Sequence, residues 1–179
     1  MLPAHPVSAA PTAITLDAPA PGDIGWVVSR HGALYAEEQG LTIGFEALVA
    51  RIAADFVDRF DPAHEAAWIA ERDGQRLGCV FLVQARDEAR QQVIPAAAQL
   101  RMLLVEPAAR GQGLGRRLVD ECERFARAQR YRRILLWTNR NLDAARAIYE
   151  KAGYRLIASE PHHSFGHDLV GETWEKPLA

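Results

Sequence analysis

Three alternating glycines mark the stretch of this sequence that is best suited to chemistry. Gly111, Gly113 and Gly115 lie in residues 110–116, between an apolar run and a helical pattern. Glycine lets the backbone approach a ligand closely, and a helix that begins here presents unpaired N–H groups and the positive end of its dipole. Such a helix start binds phosphate, and the flanking Arg110 and Arg116 can complement the same anion. The run therefore predicts a phosphate-binding loop.

Two common phosphate-binding patterns do not fit this loop. A Walker A loop would continue with Lys-Ser or Lys-Thr, and no such pair follows the glycines. The dinucleotide fingerprint needs a third glycine where Arg116 or Leu118 stands, and an acidic residue roughly 20 positions on, where Leu135 and Leu136 stand. A glycine-rich connection that binds nothing remains the structural alternative.

Four side chains are candidates for a general base. His31, His162 and His163 can titrate near neutral pH, and Glu106 ends the apolar run before the loop. A single histidine is more often a packing or surface residue, and water can relay a proton instead. The adjacent His162 and His163 have no third and fourth ligand at suitable spacing, so no metal is predicted. The base therefore stays open among these four residues and water.

Composition and charge place the chain among ordinary globular proteins. It has 179 residues, a net charge of −2 and 49% hydrophobic residues, which predicts one domain and no attraction to nucleic acid or anionic membrane. No apolar run approaches the ~18 residues of a membrane span. Cys79 and Cys122 form no C-x-x-C motif, and a reducing cytoplasm is the simpler compartment. Residues 1–12, rich in Pro and Ala, predict a flexible tail before a domain at 13–179.

The elements that must position the loop alternate between strands and helices, which indicates a mixed α/β or α+β sheet. Asp23 and Asn141 are predicted N-caps, and Asp73-Gly74 predicts a tight hairpin turn. The apolar run at 134–137 predicts a strand buried on both faces. Two polar segments, 86–95 and the one containing Pro161-His162-His163, predict loops. The predicted strands are 13–17, 66–71, 77–83, 97–105, 133–138, 154–159 and 172–178, and the predicted helices begin near residues 23, 45, 114 and 141.

Two segments resemble signatures of the GNAT N-acetyltransferase superfamily. Arg110-Gly111-Gln112-Gly113-Leu114-Gly115 is similar to its R/Q-x-x-G-x-G/A motif, and Leu103-Leu104-Val105-Glu106-Pro107 resembles the strand and turn that lead into it. Residues 144–154 resemble its A-x-x-x-Y-x-x-x-G-F/Y motif. The order of elements agrees over nearly the whole chain, so the resemblance implies the GNAT fold. That fold is a mixed, mostly antiparallel sheet of about six or seven strands with about four helices, splayed between strands 4 and 5.

The resemblance also implies acetyl-CoA as cosubstrate, without a metal. Main-chain groups of Leu103, Leu104 and Val105 would bind its pantetheine arm. An amine would attack the thioester directly, and the backbone N–H of Val105 could stabilise the resulting oxyanion. The pyrophosphate would be held by Arg110, Gly111, Gln112, Gly113, Leu114, Gly115 and Arg116.

Tyr149 stands where the resemblance implies a general acid. A phenol titrates near pH ~10 and can donate its proton at neutral pH without special tuning. The alternative is that Tyr149 continues the apolar side of its helix beside Ile148. Many members carry Asn at the position that Leu142 occupies here, with Asn141 one place earlier. The contact of Asn141 with the cofactor therefore competes with its alternative as an N-cap.

Two functions follow as predictions. The first is an acetyltransferase acting on a primary amine of a small molecule, amino acid or peptide. The second is a non-catalytic acetyl-CoA sensor, which would not need a proton donor. Residues 25–32 and 161–166 resemble a subgroup often attached to MarR-type regulators, and without a winged-helix segment this chain would be a free-standing version. The resemblance leaves a homodimer open.

Overall fold

The helices and strands follow one another in the order that the hydrophobic pattern predicts. The computed structural model describes residues 12–87, 89 and 92–178, so the predicted tail lies outside the described residues except for Thr12. The elements are β1 (Thr15–Asp17), α1 (Asp23–Gln39), α2 (Ile43–Arg59), β2 (Ala66–Arg72), β3 (Gln75–Asp87), β4 (Gln92–Val105), a 3₁₀ turn (Pro107–Ala109), α3 (Leu114–Ala128), β5 (Arg133–Asn139), α4 (Asp143–Ala152), β6 (Arg155–Ser164) and β7 (His167–Pro177).

The described strands form a single sheet of seven in the order β1-β2-β3-β4-β5-β7-β6. Only the β4–β5 pair is parallel. The prediction of a mixed, mostly antiparallel sheet with four helices is therefore confirmed. Within the described ranges, no helix is long and apolar enough to cross a bilayer.

The sheet opens between β4 and β5. Their pairing runs from Ala97 with Arg133 to Leu100 with Leu136 and then stops. Just beyond it, Met102 adopts a positive φ of 57°, and the register between β3 and β4 shifts, as it does at a β-bulge. Such a backbone conformation costs a non-glycine residue about 1–2 kcal/mol. The predicted splay is confirmed, and it lies directly before the glycine loop.

Two hydrophobic clusters cover the two faces of the sheet. α3 contributes Leu118, Val119 and Cys122 to one cluster, where they pack with Leu100 and Leu136 of the sheet. α1 and α2 contribute Val27, Leu34 and Phe56 to the other, against β2, β3 and β4. Burying each large apolar side chain stabilises the fold by about 1.5–3 kcal/mol. These clusters fix the helices that carry the site.

The two polar segments predicted as loops are largely strand. β3 runs to Asp87 and β4 begins at Gln92, with Arg86 paired to Val93. His162 and His163 lie in β6, which is the edge strand of the sheet and can accept Pro161 because one side makes no ladder bonds. Solvent on both faces makes these strands polar, so polarity alone wrongly predicted loops.

Two further sequence predictions are wrong in detail. Trp137 is 51% exposed, because the α1–α2 cluster reaches β2, β3 and β4 but not β5. The strand is therefore not buried on both faces. Gly22, with φ 98°, is the N-cap of α1 in place of Asp23. The Asp23 carboxylate instead accepts hydrogen bonds from the Ala20 N–H and from Arg76.

Candidate active site

One cleft of about 730 Å³ lies between the splayed end of β4, the glycine loop and α4. It brings together residues that are far apart in sequence. All the predicted cofactor-binding residues line it except Gln112, whose amide donates to Ala108 O at 2.9 Å. Those lining the cleft are Leu103, Leu104, Val105, Arg110, Gly111, Gly113, Leu114, Gly115, Arg116 and Asn141.

The glycine loop shapes an anion site at the start of α3. Gly111 and Gly113 have φ values of 73° and 79°, which side-chain-bearing residues rarely adopt. Nothing lies within 4 Å of a Cβ built on either residue. Gly113 is the N-cap, no side chain caps the helix, and the first helical bond is Arg117 N–H to Gly113 O at 3.0 Å. The N–H groups of residues 114–116 therefore have no partner within the helix, and these residues line the cleft, which fits a pyrophosphate.

Gly115 is required for helix packing and not for backbone conformation. A Cβ at this position would lie 2.6 Å from Cδ1 of Ile148 in α4. The missing side chain allows α3 and α4 to approach each other beside the cleft. The alternating glycines thus serve two purposes, backbone conformation at the first two positions and helix packing at the third.

Arg110 and Arg116 line the cleft and also have partners within the protein. Arg110 binds Val105 O at 3.2 Å and the Glu38 carboxylate at 2.8 Å. Arg116 binds Asp120 at 2.7 Å and Lys151 O at 2.9 Å. These bonds tie the loop to α1 and to the end of α4, and they place two positive charges at the anion site.

Asn141 lines the cleft but is not the N-cap of α4. That position is Leu142, whose N–H binds Asn139 O at 3.0 Å. The Asn141 amide donates instead to Gln39 Oε1 at 2.7 Å, joining the entrance of α4 to the end of α1. The N-cap prediction is wrong because the helix begins two residues later than Asn141.

Tyr149 lies on α4, next to the cleft-lining Ile148. It is 5% exposed and packs in the α3–α4 core, with its ring centroid 5.8 Å from that of Tyr154. It is not among the lining residues of the cleft. Burial raises the pKa of Tyr149 well above its usual value, and the nearby Tyr35, which lines the cleft, adds to the rise. The phenol is therefore protonated at neutral pH.

The structure does not bring the four base candidates together, and none of them lines the cleft. His31 is buried in α1 and its Nδ1 lies 2.9 Å from Val27 O. Burial lowers the pKa of His31 to about 4, so its ring is neutral at pH 7. Glu106 forms a two-point ion pair with Arg30, at 2.6 and 2.9 Å.

His162 and His163 also have partners of their own. A neutral His162 ring can donate from Nε2 to Asn139 Oδ1, at 3.1 Å, and accept at Nδ1 from the Ser164 hydroxyl, at 2.9 Å. The exposed His163 pairs with Asp168 at 2.7 Å. Among the described residues, no three His, Cys, Asp or Glu side chains are grouped as metal ligands are.

A buried carboxylate behind α4 was missed from the sequence. Glu172 in β7 is 1% exposed, and its oxygens accept from Arg140 at 3.2 Å, Arg146 at 3.0 Å and the Trp174 indole at 3.2 Å. Only the carboxylate is buried, because the side chains of Arg140 and Arg146 are 57% and 27% exposed. The cluster fixes α4, and hence Tyr149, against the sheet. An isolated Glu in a strand gives no pattern that predicts such a role.

The cleft is also lined by residues of α1 and α4. Tyr35 of α1 stacks on Phe45 at 4.5 Å, and burial raises its pKa to about 12. Lys151 lines the cleft from α4 together with Ala144, Ala147 and Ile148. These four share the helical spacing of three and four residues, so Lys151 could have been found from the sequence. Tyr35 could not, because only the fold brings α1 to the glycine loop.

Comparison with known proteins identifies relatives of this chain. A family model of the acetyltransferase (GNAT) domain matches residues 63–156, just over half of the chain. N-acetyltransferase family 8 member 2 of Rattus norvegicus is 32% identical over 104 residues, covering 57% of this chain and 44% of that protein. N-acetyltransferase 8F1 of the same species is 32% identical over 111 residues, covering 58% and 48%. The chain thus spans less than half the length of these curated relatives.

Solved structures share the fold at low sequence identity. The protein yncA of Salmonella typhimurium, solved with its cofactor acetyl-CoA, has a TM-score of 0.74 at 16% identity, covering 93% of this chain and 95% of that one. Ribosomal-protein-alanine N-acetyltransferase of Brucella melitensis has a TM-score of 0.70 at 18% identity, covering 92% and 99%. At these identities the likeness establishes a common architecture.

Proposed function

The chain belongs to the GNAT acetyltransferase family, and we propose that it transfers the acetyl group of acetyl-CoA to a primary amine of a small molecule, amino acid or peptide. One observation carries this proposal. β4 separates from β5 after Leu100 and continues, through a short turn and the glycine loop, to the start of α3, where no side chain caps the helix. The separated part of β4 and this helix start line the same cleft. The extended pantetheine arm of acetyl-CoA needs the first surface and its pyrophosphate needs the second, so the two surfaces must be adjacent.

The residues that line the cleft are suited to binding acetyl-CoA. The N–H groups at the start of α3, with Arg110 and Arg116 beside them, would hold the pyrophosphate. Main-chain groups of residues 103–105, beyond the last pair with β5, would bind the arm. When bound, acetyl-CoA supplies an acetyl thioester at the parting of the strands.

We assign Tyr149 the role of proton donor to the departing thiolate. Burial raises its pKa above the usual value, so the hydroxyl is protonated at neutral pH. Among the base candidates, His31 is disfavoured because burial lowers its pKa to about 4. Glu106 is held by Arg30 at 2.6 Å. We therefore propose that water removes the proton of the amine.

Two finer assignments rest on sequence and remain proposals. The resemblance to the subgroup attached to MarR-type regulators depends on residues 25–32 and 161–166. The cytoplasm is supported by two cysteines, Cys79 and Cys122, that are both buried and unpaired.

The test combines cofactor binding with turnover. Acetyl-CoA should raise the melting temperature of the wild type, because a ligand that binds only the native state stabilises it. A panel of primary amines should then release free thiol from acetyl-CoA. Gly113→Asp should abolish the thermal shift by placing a carboxylate at the phosphate site. Gly113→Asn is the matched control, since Asn tolerates the same backbone conformation without the charge.

Each outcome has a distinct meaning. A folded Gly113→Asp variant with the full wild-type shift would remove the pyrophosphate from the glycine loop. Strong acetyl-CoA binding without thiol release from any amine would favour the non-catalytic sensor.

A further inference from the structure

A second cleft, of about 390 Å³, lies between α2 and strands β3 and β4. Gln99 and Arg101 line it from β4, on either side of Leu100. Leu100 makes the last pair with β5, through Leu136, before the strands part. Along β4, the lining of the second cleft therefore ends at Arg101, two residues before that of the first cleft begins at Leu103.

The two clefts share no lining residue: the first is walled by α1, α3 and α4, and the second lies on the α2 side of the sheet. Leu100 and Leu136 both pack in the core on the side of α3. Because side chains alternate along a strand, Gln99, Arg101 and Trp137 face the side of α2. The exposed Trp137 indole lies on the same face of the sheet but does not line the second cleft. A molecule in this cleft would meet the end of the acetyl-CoA cleft without competing for it.

Positive charge predominates in the second cleft. Three arginines line it, Arg59, Arg86 and Arg101, against the carboxylates of Asp55 and Glu65. Both Glu65 oxygens are occupied by backbone N–H groups, of Asp61 at 3.3 Å and of Gln84 at 3.1 Å. That carboxylate therefore holds the start of β2 in place and is not available to a ligand.

Two of these arginines are available to a ligand. Within the part of the chain that the structure describes, neither Arg59 nor Arg86 forms an ion pair. Asp55 and Arg59 are separated by one helical turn and still do not pair. A guanidinium presents a planar set of donors that matches a carboxylate with two parallel hydrogen bonds. The cleft thus offers its unpaired donors to an anion.

On the basis of the proposed function, we propose that this cleft binds the acceptor and selects amines that also carry a carboxylate, as free amino acids do. The carboxylate binds the guanidiniums of Arg59 and Arg86. The amine lies at the parting, beside Gln99. Specificity then comes from α2 and the β3–β4 hairpin.

Matched acceptor pairs test this assignment. L-phenylalanine, L-leucine and β-alanine are compared with their carboxamides in the thiol-release assay, because each pair differs only in the anionic group. We expect the carboxylates to have a kcat/KM about 10- to 100-fold higher than the amides, as for the loss of a charge-assisted hydrogen bond.

Two variants locate the selecting groups. Arg59→Gln combined with Arg86→Gln should raise KM for the carboxylates to the values of the amides and leave KM for acetyl-CoA unchanged. Arg51→Gln is the control, because Arg51 is exposed on the same helix and does not line the cleft. Its kinetics should equal those of the wild type.

Three results would overturn the inference. Equal kcat/KM for carboxylates and amides in the wild type would overturn it and leave the proposed acetyltransferase intact. So would a carboxylate preference that persists in the double variant. Absence of thiol release with every amine, in protein that binds acetyl-CoA, would overturn this inference together with the proposed function.

Discussion

Replacing Tyr149 by Phe separates an acetyltransferase from a cofactor-binding protein. The change deletes one hydroxyl and keeps a ring that is 5% exposed in the α3–α4 core. No hydrogen bond from that hydroxyl is seen within the described residues, so the variant should fold with nearly unchanged stability. If the hydroxyl donates the proton, turnover should fall by roughly 10²–10⁴-fold. That loss corresponds to about 3–5 kcal/mol of transition-state stabilisation.

A neighbouring tyrosine provides the matched control. Tyr154 is also buried, and its hydroxyl has no hydrogen-bond partner in the described part of the chain. Tyr154→Phe should therefore keep full turnover and raise the free energy of unfolding by about 1 kcal/mol, because an unsatisfied buried group is removed. For a chain of this size that is about 2–4 °C in melting temperature.

The assay is thiol release under single turnover, with acetyl-CoA affinity measured separately by calorimetry. Tyr149→Phe should show a lower rate with unchanged affinity, as expected for an interaction made mainly in the transition state. Because the pKa of Tyr149 is raised, its ionisation should not reduce the rate below pH ~10. Full activity of Tyr149→Phe, with chemistry shown to limit the rate, would refute the role of the phenol.

Two other predictions concern the packing around the site. The pKa of His31 falls from 6.5 to about 4 on folding, so its contribution to stability is present above pH 6.5 and is lost as the pH falls through 4. Between pH 7 and pH 4 the wild type should lose about 3 kcal/mol more than His31→Gln in urea unfolding, and equal losses would contradict the assignment. Gly78→Ala would place a Cβ 2.6 Å from Leu104 O in the cleft wall, and it should cost about 1–3 kcal/mol and reduce the thermal shift with acetyl-CoA. Gly25→Ala, with nothing within 4 Å of its Cβ, should show neither effect.

Local patterns predicted the parts of the structure that depend on backbone conformation. Asp73 and Gly74 both have positive φ, as the predicted hairpin turn requires, and Gly113 begins α3 as the phosphate-loop interpretation requires. The splay between β4 and β5 followed only from the family resemblance. No periodicity in residues 97–105 shows that pairing stops at Leu100.

The failed predictions of strand burial and of loops share one physical cause. Solvent exposure depends on what packs over a strand, and single-strand patterns do not contain that information. Trp137 is apolar but uncovered, and residues 92–95 are strand although largely exposed. The ion cluster at Glu172 depends on Arg140 and Arg146, which approach it only through the pairing of β5 with β7 and the packing of α4.

The parting of β4 and β5 also bears on aggregation. Unpaired main-chain groups at the rim of a sheet invite strands of other molecules to add to it, and proteins usually protect such edges. Here residues 103–105, which lie beyond the last pair with β5, line a cleft walled by α1, α3 and α4. A β-strand of another molecule needs more width because it carries side chains. A thin linear molecule with amide groups can enter the cleft. The walls of the cleft thus protect this unpaired edge from other strands and admit only molecules thin enough to enter.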